Sequence, residues 1–276
     1  MQRALALSAV STLAASLRTM AEPWKYTDPY EGLEVMMDGE PLQLYITETH
    51  WSEITPLGNT GYDMGYNGRT YLSTTQNWSK DTYFKPNLLG GSMEYDVDLS
   101  TTDCGCVAAL YVISMPGIGS NGQPFESTDG LHYCDAQAVG GNFCPEFDIM
   151  EANQWAYHAT SHSCDAPDAN GHYTNCDRPG TCDLDIYDHQ PDVNFGPGAQ
   201  YQINTLQEFH TKVEFKQDTD GEFSEYSIIL TQDGREVTMT TNNCKEGLSK
   251  MTQDFTNGMV FAMSSWSPNY GDLTWM

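Results

Sequence analysis

Apolar and polar positions along this chain recur mostly with a period of two. Residues 92–99 are the clearest case. Met93, Tyr95, Val97 and Leu99 alternate with Glu94, Asp96 and Asp98, the signature of a strand with one buried face. Residues 107–115 form a near-continuous apolar run, which fits a strand covered on both faces. Further strands are expected at 42–48, 211–217, 224–231, 235–240 and 259–266, separated by clusters of Gly, Pro, Asn and Asp. Only 247–255 reads as weakly helical. Many strands joined by turns predict an all-β fold of antiparallel sheets, a sandwich or a relative of one. The long polar stretches 116–131 and 165–200 are expected as surface loops able to build a site.

Composition narrows the classes of function. The 276 residues carry 38 Asp and Glu against 12 Lys and Arg, a formal net charge of −26. Such a chain has no basic surface for phosphates, so nucleic acid is excluded as a partner, and anionic membranes repel it. It is no acidic disordered tail either, because charged residues are only 18% of it and aromatics reach 12%. The start, MQRALALSAVSTLAASLRTMA, places Arg3 before a short apolar stretch and small residues. Residues 1–21 read as a secretory signal peptide, with an amphipathic surface helix as the alternative. An extracellular single domain over 22–276 is then expected, acting as a monomer. Eight cysteines in a secreted chain favour disulfides over metal. Zinc-type Cys-x-x-Cys spacings are absent, and neither metal nor cofactor is expected. Asn77-Trp78-Ser79 is a glycosylation sequon.

The segment Cys144-Pro-Glu146-Phe-Asp148-Ile-Met-Glu151-Ala-Asn153 interleaves acids with hydrophobes. On a strand, Glu146 and Asp148 share one face while Phe147 and Ile149 take the other. Strict alternation sends Glu151 into the core, where a lone carboxylate is costly. A β-bulge near Ile149–Met150 restores Glu151 to the face of Glu146. Three acids on one face raise at least one pKa. A retaining glycosidase needs this, with one carboxylate attacking the anomeric carbon and a protonated one, about 5–5.5 Å away, serving the leaving oxygen. Spacing alone leaves a solvated acidic edge strand or a calcium loop equally open.

Glu146-Phe-Asp148-Ile-Met-Glu151-Ala-Asn153 resembles the E-x-D-x-x-E-A-N signature of glycoside hydrolase family 7, the fungal cellobiohydrolases and endoglucanases. Other segments match in the family's order. They are Leu88-Leu89-Gly90, Tyr133-Cys134-Asp135-Ala136-Gln137, Thr160-Ser161-His162-Ser163-Cys164, Asn194-Phe195-Gly196-Pro197-Gly198 and Gly258-Met259-Val260 leading to Trp266 and Trp275. The resemblance spans roughly 84–276. It implies a concave, concanavalin-like β-jelly-roll sandwich with long loops and a cleft for cellulose or another β-glucan. By the same match Glu146 is the nucleophile, Glu151 the acid/base, and Asp148 the residue that holds the nucleophile. Asp135, Gln137, His162, Tyr111, Trp266 and Trp275 are implied as substrate contacts, the aromatics because pyranose faces pack on rings. For Tyr111, inside an apolar run, ordinary core packing is the strong alternative. The matched cysteines imply bridges Cys134–Cys144, Cys164–Cys176 and Cys182–Cys244, and leave Cys104 and Cys106 unassigned.

Departures from the family shape the expectation. Ala138 and Phe143 stand where the family has cysteines, and Asp188 follows Tyr187 where an arginine is usual. Only six residues, 138–143, separate Gln137 from Cys144, which implies an open cleft and internal chain cleavage. The match also implies further strands beyond Met276. The core Glu146–Glu151 also looks close to the Glu-Ile-Asp-Ile-Met-Glu variant of the laminarinases of glycoside hydrolase family 16, so a β-1,3-glucanase is the second enzyme reading, against which the Tyr-Cys-Asp-x-Gln motif, the cysteine set and Phe-Gly-Pro-Gly argue for family 7. A non-catalytic carbohydrate-binding sandwich is the third.

Overall fold

The computed structural model describes residues 4–6, 30–49, 54–103, 105–189, 194–267, 273 and 275. Thirteen strands form the main sheet. In chain order they are β1 (Ala4–Ala6), β2 (Tyr30–Met37), β3 (Glu40–Thr49), β4 (Gly68–Ser73), β5 (Ser92–Val97), β6 (Val107–Ile113) and β7 (Glu146–Ala152), followed by β8 (Tyr157–His162), β9 (Cys182–Asp185), β10 (Phe209–Gln217), β11 (Phe223–Gln232), β12 (Arg235–Thr240) and β13 (Val260–Trp266). Their spatial order is β9-β8-β7-β6-β13-β4-β3-β2-β1-β5-β10-β11-β12. Only β1 joins β2 to β5, antiparallel to the first and parallel to the second. Two small pairs lie outside this sheet, the antiparallel hairpin Ile54–Leu57 with Gly61–Met64 and the parallel contact Phe195–Gly196 with Ile203–Asn204.

The sheet folds back on itself into two layers. Phe147 of β7 meets the rings of Phe215, Phe223 and Tyr226, which stand on β10 and β11 at the other end of the sheet. The Tyr226 hydroxyl donates across the layers to the carbonyls of Ala159 and Cys182. Alternation drives this closure. Met93, Tyr95 and Val97 on β5, and Val213 and Phe215 on β10, are buried one residue in two. β6 is covered on both faces, as its unbroken apolar run requires. Leu110 and Val112 enter the sandwich core, whereas Tyr111 and Ile113 join a second cluster with Tyr71, Tyr133 and Val260 on the opposite face.

Differences from the expected elements have local causes. The apolar run stops pairing at Ile113, where Ser114 N–H turns to the Pro145 carbonyl. The weak helix over 247–255 is two short helices, Lys245–Ser249 and Thr252–Asn257. The loop 165–200 contains β9 and a turn of 3₁₀ helix, Ile186–His189.

Candidate active site

β7 carries the three acids, and its pairing shows how they come together. Against β8 the register runs His162↔Glu146, Ser161↔Phe147, Thr160↔Asp148, then jumps to His158↔Glu151. Against β6 it jumps at the same point, from Tyr111↔Asp148 to Leu110↔Met150. Ile149 is therefore one residue extra relative to both neighbours, a β-bulge where the parity of the sequence demands it. Ile149 and Met150 both enter the core, and Glu151 returns to the face of Glu146 and Asp148. The Ile149 carbonyl accepts the Tyr157 hydroxyl at 3.2 Å, and that hydroxyl oxygen in turn takes a bond from Tyr95 at 3.0 Å. Two core tyrosines thus brace the bulge from behind.

The acids differ in their surroundings. Glu146 and Asp148 are buried, and Glu151 is half-buried. Ala136 N–H donates to Glu146 Oε2 at 2.9 Å, a bond that favours the ionised form. Burial, then the charges of Asp148 and Asp135, nevertheless push the Glu146 carboxyl well above the usual range. Burial, then Asp148, does the same to Glu151. Asp135 is raised by its burial, against the Val139 N–H that its Oδ1 accepts at 2.9 Å. His162 Nε2 lies 3.1 Å from Asp148 Oδ2, and its Nδ1 donates to the Asp177 carbonyl at 2.7 Å. Burial opposes charge on this ring, but Asp148 and Asp177 outweigh it and raise the His162 pKa.

The other expected residues fall around this centre in different ways. Tyr111 is on the acids' face and buried, its hydroxyl 3.5 Å from that of Tyr133. Burial raises its pKa to about 12. Trp266 and Trp275 stack with centroids 6.3 Å apart and planes 13° apart. Gln137 is tied to a neighbouring loop. Its Nε2 donates to the Arg178 carbonyl at 2.6 Å, and Arg178 Nε donates to its Oε1 at 3.2 Å. His162 likewise has protein partners on both ring nitrogens, Asp148 and the Asp177 carbonyl. Asn77 is exposed on a turn.

Two expected bridges are present, Cys134–Cys144 and Cys164–Cys176. The first ties the Asp135 segment to the start of β7. The expected Cys182–Cys244 bridge is not formed. Both residues are thiols that lie side by side, and Cys182 Sγ donates to the Cys244 carbonyl at 3.3 Å. Cys104 lies outside the described residues.

Sequence reasoning missed two residues of this face. Arg69 on β4 bonds Asp129 Oδ2 at 2.7 Å, with its guanidinium carbon 3.7 Å above the centre of the Tyr133 ring. The only available signal was its position, two residues before Tyr71 on a strand that faces β13. His158 on β8 stands in register with Glu151. Among the described residues no group of three or more His, Cys, Asp or Glu is arranged to hold a metal ion.

The family model described as glycosyl hydrolase family 7 matches residues 46–140 and 138–246. Two curated relatives are endoglucanases of Humicola insolens. One is 28% identical over 239 residues, 69% of this chain and 54% of its own length. The other is 26% identical over 252 residues, 72% of this chain and 60% of its own length. The chain thus spans between half and two thirds of these relatives. Among solved structures, an endoglucanase I complexed with cellobiose is 19% identical, with a TM-score of 0.66 over 95% of this chain and 89% of that one. A cellobiohydrolase from Daphnia pulex is 22% identical, with a TM-score of 0.61 over 82% of this chain and 66% of that one. The fold is that of these jelly-roll proteins. The match over 46–246 also goes well beyond the six-residue core on which the family 16 reading rested.

Proposed function

The chain belongs to glycosyl hydrolase family 7, and from that membership we propose that it hydrolyses β-1,4-glucosidic bonds of cellulose or a related β-glucan with retention of configuration. The observation that carries this reading is the bulge at Ile149, which turns three interleaved acids into one constellation. Within it the environments separate the roles. Glu146 receives a backbone N–H donor and is the nucleophile. Burial and Asp148 push both glutamates towards their protonated forms, and Glu151, on which only raising influences act, is the general acid.

In the first step the Glu151 proton passes to the glycosidic oxygen as the C1–O bond breaks, while the Glu146 carboxylate bonds to C1. In the second, Glu151 takes a proton from water, whose oxygen displaces Glu146 from C1. Two inversions leave the configuration retained. Asp148 stands between the two glutamates, and His162 offsets its charge. The aromatic pair Trp266 and Trp275 offers faces for pyranose rings. Tyr111 and Arg69 form part of the floor. The short connection from Gln137 to Cys144 leaves the cleft open on that side, which supports cleavage within chains. The two bridges support secretion; the expected leader does not add to this, because Ala4–Ala6 within it is paired in the main sheet between β2 and β5.

Reducing ends released from amorphous cellulose test the assignment. Wild type is expected to release them and Glu146→Gln to lose at least about a hundredfold in rate; equal rates refute it. Faster release from laminarin than from cellulose would move the substrate to β-1,3-glucan. Cellulose binding without turnover by the folded protein leaves a binding module.

A further inference from the structure

His158 occupies a position that the reaction above leaves unused. It lies across the strand pair from Glu151, so their side chains project from one face, with Cβ atoms about 5 Å apart. Its neighbours fix the ring. Asp183 Oδ2, which only accepts, is 3.4 Å from Nε2, and the Thr160 hydroxyl is 3.0 Å from Nδ1. The Nε2–H therefore points at Asp183, and Nδ1 accepts from Thr160. Held in this way, the imidazole meets Trp275 edge-to-face, with centroids 5.8 Å apart and planes at 71°. Trp275 also stacks on Trp266 yet keeps 41% of its surface exposed. An exposed indole needs such contacts to hold one orientation, and an edge-to-face contact of this geometry is favourable.

We propose that His158, oriented by Asp183 and Thr160, is a positioning residue that sets the Trp275 ring as the platform for the sugar on the leaving-group side of Glu151. This rests on the assignment of Glu151 as general acid. A sugar stacked there aligns the glycosidic oxygen with the Glu151 proton, so the contribution belongs to substrates whose leaving group is a sugar.

Two measurements separate the proposal from its premise. The stacked pair Trp266–Trp275 gives an exciton couplet in circular dichroism, identified by its loss in Trp275→Phe. His158→Ala is expected to diminish that couplet; a couplet unchanged in His158→Ala refutes the positioning role, whether or not the protein turns over. In kinetics, cellotetraose presents a sugar leaving group and an aryl β-cellobioside does not. The ratio of their kcat/KM values is expected to fall about three- to tenfold in His158→Ala. Asp183→Asn, at an exposed side chain that leaves the core intact, is expected to move the ratio the same way by less. Equal losses on both substrates refute the platform. Failure of wild type on both substrates refutes the glycosidase reading, and the couplet still decides what His158 does.

Discussion

His162→Ala breaks a buried charged pair and leaves one partner behind. The two side chains are 8% and 9% exposed with 3.1 Å between Nε2 and Oδ2, so solvent screens them little. At that separation, with an effective dielectric near 20, the Coulomb attraction is about 5 kcal/mol. Desolvation consumes part of it, and breaking comparable pairs costs about 3–5 kcal/mol. The lower value is the minimum expected here, because Asp148 is left uncompensated beside two other acids. The pH dependence has a definite sign. His162 binds its proton more tightly folded than unfolded. Its contribution is therefore complete below the unfolded value of about 6.5 and disappears as pH rises through the higher folded value. Urea unfolding at pH 5.5 should show His162→Ala at least about 3 kcal/mol less stable than wild type, with the gap narrowing at pH 9. Asp148→Asn in the same background should recover at least about 1 kcal/mol. A gap that is constant or wider at pH 9, or single-variant effects that simply add, refutes the pair as a stabilising unit.

Glu151→Gln is expected to act in the opposite direction on stability. The folded-state pKa of Glu151 is raised, so wild type loses stability as pH rises from the unfolded value towards the folded one. The neutral amide escapes that loss, and the variant should melt above wild type at pH 8 and level with it near pH 4; a lower melting temperature at pH 8 contradicts the reading. Phe147→Ala removes the ring that joins β7 to Phe215, Phe223, Tyr226 and Phe255. It should cost about 3–5 kcal/mol in urea unfolding, and a loss under about 1 kcal/mol means that the two layers are not held together there.

The sheet was legible wherever one face of a strand is solvated or merely polar. Ser92–Val97, Phe209–Gln217 and Arg235–Thr240 alternate in the sequence because they alternate in space. The bulge was legible for a related reason, because a carboxylate at Glu151 is incompatible with the core side that strict alternation assigns to it. β8 defeats the same reasoning. Its sequence Tyr157-His-Ala-Thr-Ser-His162 is buried throughout, yet it shows no apolar period. Small residues, Ala159 and Ser161, face the crowded sandwich core, while His158, Thr160 and His162 face the acids. β4 repeats this, with Thr70 buried on the core side and Arg69 over Tyr133 on the other. A strand under a cleft has its hydrophobic pattern overwritten by the chemistry it presents. Period-two reading therefore fails where two buried faces have different solvents, hydrocarbon on one side and a polar site on the other. By that reasoning, polar strands beside apolar ones in an all-β chain mark the face on which to look for the site. Both strands missed in this way, β4 and β8, lie on the same side of the sheet as Glu146 and Glu151.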